Sequence, residues 1–183
     1  MKCKRFAIFI LLTLTTLLSA CSTYTPPRYS ILADNNVQLK QLGIKDIAVG
    51  TFIGDPEFNE RCRAAGELFP PDGLTYAAYI QRAFADELKM AGIYNADYRV
   101  KIYGSLDKLS FSSSQNNMTG YWDISITLTS STRKMMKVSE HYNFASGFEG
   151  GLACKQTAEA FAPAVQELIY NAVSSVEFRE LVR

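Results

Sequence analysis

Histidine is nearly missing from this chain: His141 is the only one in 183 residues, and tryptophan also occurs once. Any Ser–His–Asp triad or imidazole-based metal site would have to be built on that residue. No Gly-x-Ser-x-Gly elbow, His-Glu-x-x-His helix, phosphate-cradling glycine loop or Cys-x-x-Cys pair occurs. The chain therefore reads as non-enzymatic, and no cofactor or metal is expected. Charge of one sign is lacking too. Nineteen Lys and Arg against 18 Asp and Glu leave +1, which argues against a nucleic-acid partner, since such binders need many phosphate-neutralising cations. Repeats and long charge blocks are absent. Long apolar runs are also scarce: one begins at Phe6–Leu12 and continues through Thr13–Leu18 with three threonines. It ends too soon for a spanning helix, which needs about 20 apolar residues. What remains, 48% hydrophobic and 20% charged, is the composition of a globular domain. It excludes a coiled-coil rod, a disordered acidic chain and a polytopic membrane protein.

The amino-terminal run has a signal-peptide layout: Lys2, Lys4 and Arg5 precede it, and small residues and a cysteine follow it. The stretch Leu18-Ser19-Ala20-Cys21 resembles the bacterial lipobox. That resemblance implies a signal peptide over 1–20, cleavage before Cys21, and acylation of its sulfur and new amino group. Several acyl chains make a stable membrane anchor at about 0.8 kcal/mol per buried methylene. In Gram-negative lipoproteins an aspartate after the cysteine commonly causes inner-membrane retention. Ser22 stands there, which by analogy implies the periplasmic face of the outer membrane. Cleavage removes three cations and no acid, so the balance becomes 16 − 18 = −2.

Of four cysteines, Cys3 leaves with the signal and Cys21 is the lipid site. Cys62 and Cys154 remain. In an oxidising compartment they most simply form one disulfide, the alternatives being a redox pair or two free thiols. Its loop of about 90 residues would contribute roughly 4–5 kcal/mol in the chain-entropy model.

Residues 21–42 read as a lipidated terminus and a polar, proline-interrupted tether (Ser22–Pro27 onward), reaching at most about 65 Å. A single domain over 43–183 follows. Asp46–Phe52 is a short, apolar, mostly buried strand. The connection Ile53–Gly73 is long enough to be either functional or stapled, and Cys62 in its middle favours the staple. A helix from about Leu74 to Ala91 carries the stripe Ala77, Ile80, Phe84, Leu88 and Ala91, with Gly92 as its cap. Asp86 and Glu87 fall on the remaining surface.

Three alternating strands follow. Tyr98–Leu106 turns Tyr98, Val100, Ile102 and Leu106 inward, with Gly104 between. Tyr121–Ser130 turns Trp122, Ile124, Ile126 and Leu128 inward. Met135–Phe144 does so with Met136, Val138, Tyr142 and Phe144, and Glu140 is a misfit. Their links are a polar, mobile stretch over Ser112–Asn117 and a hairpin turn, Ser130–Lys134. A helix from about Lys155 to Ser174, with inner residues Phe161, Val165, Leu168 and Ala172, closes the chain. Pro163 requires a later start or a kink, and a short turn over Val176–Leu181 caps the helix. The fold class is thus α+β: a two-layer sandwich of a four-stranded, mostly antiparallel sheet with two helices on one face, in the order β-α-β-β-β-α.

This order resembles the small periplasmic domains of the TolB N-terminal and CsgG type over roughly residues 44–181. Ala153-Cys154-Lys155-Gln156-Thr157-Ala158 and Phe161–Val165 are similar to stretches in uncharacterised proteobacterial envelope lipoproteins, which brings no activity with it.

Candidate chemistry is thin. His141 lies by alternation on the polar face between Ser139 and Asn143. Asp86 and Glu87 are adjacent on a helix and do not share a face. Asp55 and Glu57 flank Pro56 but are too few for a calcium loop. Gly147, Gly150 and Gly151 read as a turn that lets the disulfide close. Aromatics are more suggestive, with ten Tyr and eleven Phe. Phe69, Tyr76 and Tyr79, beside Pro70-Pro71, form the candidate partner-binding patch, with core packing as the competing reading. The chain is accordingly expected to be a membrane-anchored envelope lipoprotein that binds another envelope protein in assembly or regulation. The alternative is a lipid- or amphiphile-binding, transport-auxiliary lipoprotein, which a cavity between helices and sheet would favour. An envelope hydrolase built on His141 ranks third.

Overall fold

The computed structural model describes residues 23–54, 57–115 and 118–183. The stretch that resembles a lipobox, through Cys21, and Asp55, Pro56 and the Asn116-Asn117 pair lie outside the described residues. In chain order the elements are β1 (Thr23–Tyr24), α1 (Ala33–Gln41), β2 (Ala48–Ile53), β3 (Arg61–Cys62), β4 (Gly66–Leu68), α2 (Tyr76–Ala91), β5 (Lys101–Gln115), β6 (Thr119–Ser130), β7 (Met135–Ala145), α3 (Gly150–Ser174) and α4 (Val176–Leu181).

The main sheet runs β2-β5-β6-β7, with β2 parallel to β5 and the other two pairs antiparallel. Packed over one face, α2 lies on β2 and α3 on β7. This is the expected two-layer α+β sandwich. The parallel pairing of β2 follows from its connection: the chain crosses the sheet through α2 before returning as β5.

Helix α2 follows the anticipated stripe and ends at the anticipated Gly92, while its start is set by a cap that sequence reading did not name. Thr75 caps its start by accepting from the Ala78 N–H at 3.1 Å. Gly92 ends it in the left-handed region at φ 75°, where a side chain would be strained. Its stripe from Ala77 to Ala91 is buried. The inward residues of β6 are buried as well, and Trp122 donates its indole N–H to the Thr157 carbonyl at 2.8 Å. Glu140, the misfit of β7, is explained by α3: it accepts from the Asn171 amide at 2.6 Å.

Four expectations need correction. The segment from Thr23 to Leu42 is not a tether. β1 pairs with β4, α1 packs on α2 and α3, and Asn35 and Leu39 are buried. Arg28 forks onto Asp72, and Gln166 donates to the Ser30 carbonyl at 2.7 Å. The polar letters that suggested a solvated strap are used for tertiary hydrogen bonds. The domain therefore begins by Thr23, not at 43.

Strand β5 continues through the serine-rich stretch, because Phe111 and Ser112 pair with Trp122 and Tyr121. The ladder outweighs the weak β-propensity of serine. A register shift between Leu106 and Lys108 changes the phase, so Leu106 and Leu109 both face inward.

Helix α3 starts five residues earlier than Lys155 and runs through Pro163. Its first turn is held by Glu149, which accepts from the Gly151 and Leu152 N–H groups at 2.8 and 2.7 Å.

Glu87 is buried, not on the surface of α2. It takes donors from the amino-terminal segment that covers it.

The long connection Ile53–Gly73 is stapled, as read. Cys62 and Cys154 form a disulfide, with Cα atoms 5.8 Å apart, and β1, β4 and β3 form a small second sheet around Cys62.

Candidate functional site

The aromatic patch is not assembled as a surface. Tyr76 and Tyr79 are 5% and 2% exposed. The Tyr76 hydroxyl donates to the Leu68 carbonyl at 3.0 Å and that of Tyr79 to Pro27 at 2.8 Å. The Tyr76 ring stands edge-on to Phe58 and Phe161, at 4.8 and 5.0 Å between centroids. Burial raises both hydroxyls above the ordinary tyrosine pKa. Only Phe69 keeps substantial exposure, at 38%. The physical reason is twofold: the amino-terminal segment, read as a tether, covers Tyr79 and supplies its acceptor, while Phe58, Trp122 and Phe161 enclose Tyr76. The competing core reading is therefore the one that holds for both tyrosines.

His141 lies where alternation placed it, on the sheet face turned away from the helices. Its Nδ1 bonds the Asp123 carboxylate, whose other oxygen accepts from Lys108 Nζ at 2.9 Å. The imidazole lies 5.1 Å from the Tyr121 ring, centroid to centroid. Burial by itself would raise the pKa of Asp123, yet hydrogen bonds from His141 and Lys108 hold it below the usual value. Nearby, Asp107 accepts from the Thr127 hydroxyl at 2.7 Å and pairs with Lys137 at 3.3 Å. Ser139 donates to Ser125 at 2.9 Å. These groups form a crosslinked polar surface over β5, β6 and β7.

Asp86 pairs with Lys89 on the helix exterior at 2.8 Å, while Glu87 points inward, so the adjacent acids do face apart. Glu57 is exposed in the long connection. Gly147, Gly150 and Gly151 surround the start of α3. A side chain at Gly151 would meet the Tyr24 hydroxyl at 3.3 Å. Among the described residues no three His, Cys, Asp or Glu side chains are grouped to hold a metal ion, and no helix is long and apolar enough to cross a membrane.

The space between helices and sheet is filled by rings: Trp122 and Phe161 are fully buried with centroids 4.8 Å apart, and Phe111 lies 5.0 Å from Trp122. At its margin a groove of about 520 Å³ opens beside the start of α2, with Phe58, Tyr76, Leu106 and Leu109 as walls and Glu60 as a polar group. Burial, then the neighbouring Glu67 charge, raises the Glu60 pKa. Sequence reading missed this groove because Phe58 and Leu109 belong to segments read as connections.

No family model matches the chain, and no curated protein matches its sequence. Among solved structures it is similar to protein XCC0632 from Xanthomonas campestris, described by the family model DUF330. The TM-score is 0.52 at 11% identity, covering 87% of this chain and 96% of that one. This likeness supports the fold alone. A PelC variant from Paraburkholderia phytofirmans, crystallised as a dodecamer, superposes with a TM-score of 0.38 at 11% identity, covering 82% of this chain and 95% of that one. That score is too low to carry an argument.

Proposed function

We propose that this chain is an outer-membrane lipoprotein, acylated on Cys21, whose non-enzymatic domain binds another envelope protein in assembly or regulation. The observation that carries the reading is the uncovered sheet face. No element of the described chain packs on it, and its Lys108–Asp123–His141 and Lys137–Asp107 groups are already ordered by one another. An ordered face loses little side-chain entropy on docking, and its mixed charges favour a complementary protein surface over a lipid or an apolar ligand. Tyr103 and Met135, 43% and 67% exposed, add apolar contacts to the same face.

The test is photo-crosslinking in cells from Tyr103 and His141, with Met90, exposed on α2, as the off-face position. One dominant envelope protein captured from the sheet positions and not from Met90 supports the reading. Equal or non-specific capture overturns it. Cys21→Ser should move the chain out of the membrane fraction; unchanged fractionation would refute the anchor.

A second reading is favoured by one observation, the groove walled by Phe58 and Leu109. An amphiphile would place its chain against those side chains. Lipid co-purifying with the native chain, and lost in Leu109→Asp, would move the assignment to ligand carriage.

A further inference from the structure

The described chain enters the fold at one end of the molecule. Thr23 pairs with Glu67, in parallel with β4, so the entry lies at the end of the small sheet that holds the Arg63–Gly66 turn. Arg63 joins this turn to the start of α3, donating to the Phe148 carbonyl at 3.0 Å and the Ser113 carbonyl at 2.6 Å. The nearness of the Tyr24 hydroxyl to Gly151 brings the entering strand to the same spot. Here the apolar side chains turn outward. Phe148 is 85% exposed and Leu152 49%. Leu152 folds back over Gly147, where a Cβ would come within 2.8 Å of it. Met118, 65% exposed, adjoins them through its carbonyl, which accepts from the Ser146 N–H at 2.9 Å. Exposed Arg61 and Lys155 flank the group, Lys155 lying 3.8 Å from the exposed Glu159 carboxylate. Of the acids at this end, Glu149 is engaged by the α3 amides and Glu67 is exposed.

We infer that this end of the domain rests on the bilayer that holds the acylated Cys21, with Phe148, Leu152 and Met118 seated at the boundary between headgroups and acyl chains. The inference rests on the lipoprotein reading above. Its occupant is chosen by chain length. Cys21 precedes Thr23 by two residues, a reach of at most about 7 Å, and residues 23–42, which could have acted as a spacer, are folded into the domain. Any anchor at Cys21 therefore holds this face against its own membrane, at a high effective concentration. Exposed aromatic and aliphatic side chains flanked by Arg and Lys suit that boundary: the rings lie at headgroup level and the cations meet phosphates. Helix α3 spans about 37 Å from its 25 residues, so Val176, 72% exposed, lies beyond its far end.

The test uses the full acylated chain in phospholipid vesicles, with intact mass recorded first. Phe148→Trp and Val176→Trp are compared with the unsubstituted chain, whose Trp122 is fully buried and supplies the background. Both positions are exposed enough to accept an indole without repacking. Vesicles containing brominated lipid should quench the added Phe148→Trp emission by about twofold or more and leave Val176→Trp unchanged, as expected for an interfacial indole. Equal quenching at both positions, or none at Phe148→Trp in a chain whose mass shows the acyl groups, overturns the inference while leaving the anchor intact. A chain whose mass lacks acyl groups and which stays out of the vesicle pellet overturns both.

Discussion

The side-chain amide of Asn35 on α1 meets the carboxylate of Glu87 on α2 at 3.1 Å, and neither side chain is exposed. The same Oε1 accepts from the Tyr29 hydroxyl and, at 2.9 Å, from the Leu32 N–H. One acid thus collects three donors from the segment that precedes the sandwich. Burial first, then the bond to Glu87, raises the Tyr29 pKa far above the ordinary value. Removing the acceptor leaves buried donors unpaired. Glu87→Ala is expected to destabilise the fold by about 3 kcal/mol, and Glu87→Gln by less because it keeps an oxygen. Urea unfolding midpoints decide this. A neutral Glu87→Ala would mean that the segment is dispensable.

The disulfide joins residues 92 apart. Replacing both cysteines by alanine should lower stability by about 4–5 kcal/mol, since the unfolded chain regains the loop entropy. The comparison is denaturant unfolding of oxidised and cysteine-free chains at one pH. A difference below about 1 kcal/mol would mean that the β3–β4 hairpin and α3 hold together by packing alone.

Asp123 has a lower pKa folded than unfolded. Its contribution to stability is therefore fully present above the ordinary value near 3.8. It is lost as pH falls through the lower folded value. Its partners are largely solvated, so Asp123→Asn should cost about 1 kcal/mol or less at pH 7. The gap between parent and variant should close in acid. A gap that stays constant down to the acid limit would show that packing, not charge, is responsible.

On the paired strands β2 and β5, each of two glycines receives an aromatic ring from the other strand. A Cβ at Gly104 would lie 2.5 Å from the Phe52 ring, and one at Gly50 would lie 2.5 Å from the Tyr103 ring. Phe52 is buried and Tyr103 is not. Gly104→Ala should therefore cost about 1–3 kcal/mol by forcing a core ring aside, and Gly50→Ala less, because Tyr103 can swing into solvent. Thermal unfolding of the two variants tests the order. Equal costs would refute the difference between the two faces.

The elements themselves were legible where one residue pattern served one purpose. The stripe of α2, with Gly92 at its end, and the alternation of β6 needed no other part of the chain to be recognised. The candidate site was not legible in this way. Tyr76 and Tyr79 are open to reading as a patch or as core because what encloses them is distant in sequence: Phe58, Trp122 and Phe161 around Tyr76, and for Tyr79 a segment that looks like a linker because its polar groups bond to Asp72, Glu87 and Gln166, all at least 44 positions away. Phe148 reads as part of a glycine turn, because a phenylalanine among glycines gives no sign of its exposure.

The sequence by itself determined the main periodic elements, their order and the α+β class, because hydrophobic period and the Gly92 cap are local properties. Only the tertiary structure decided that Cys62 and Cys154 are joined, that β2 joins in parallel, that residues 23–42 are part of the domain, and that Phe148, Leu152 and Met118 lie exposed near the entry of the described chain. Those outcomes depend on which distant surfaces meet, and a hydrogen bond or a buried ring looks the same in the sequence whichever partner completes it.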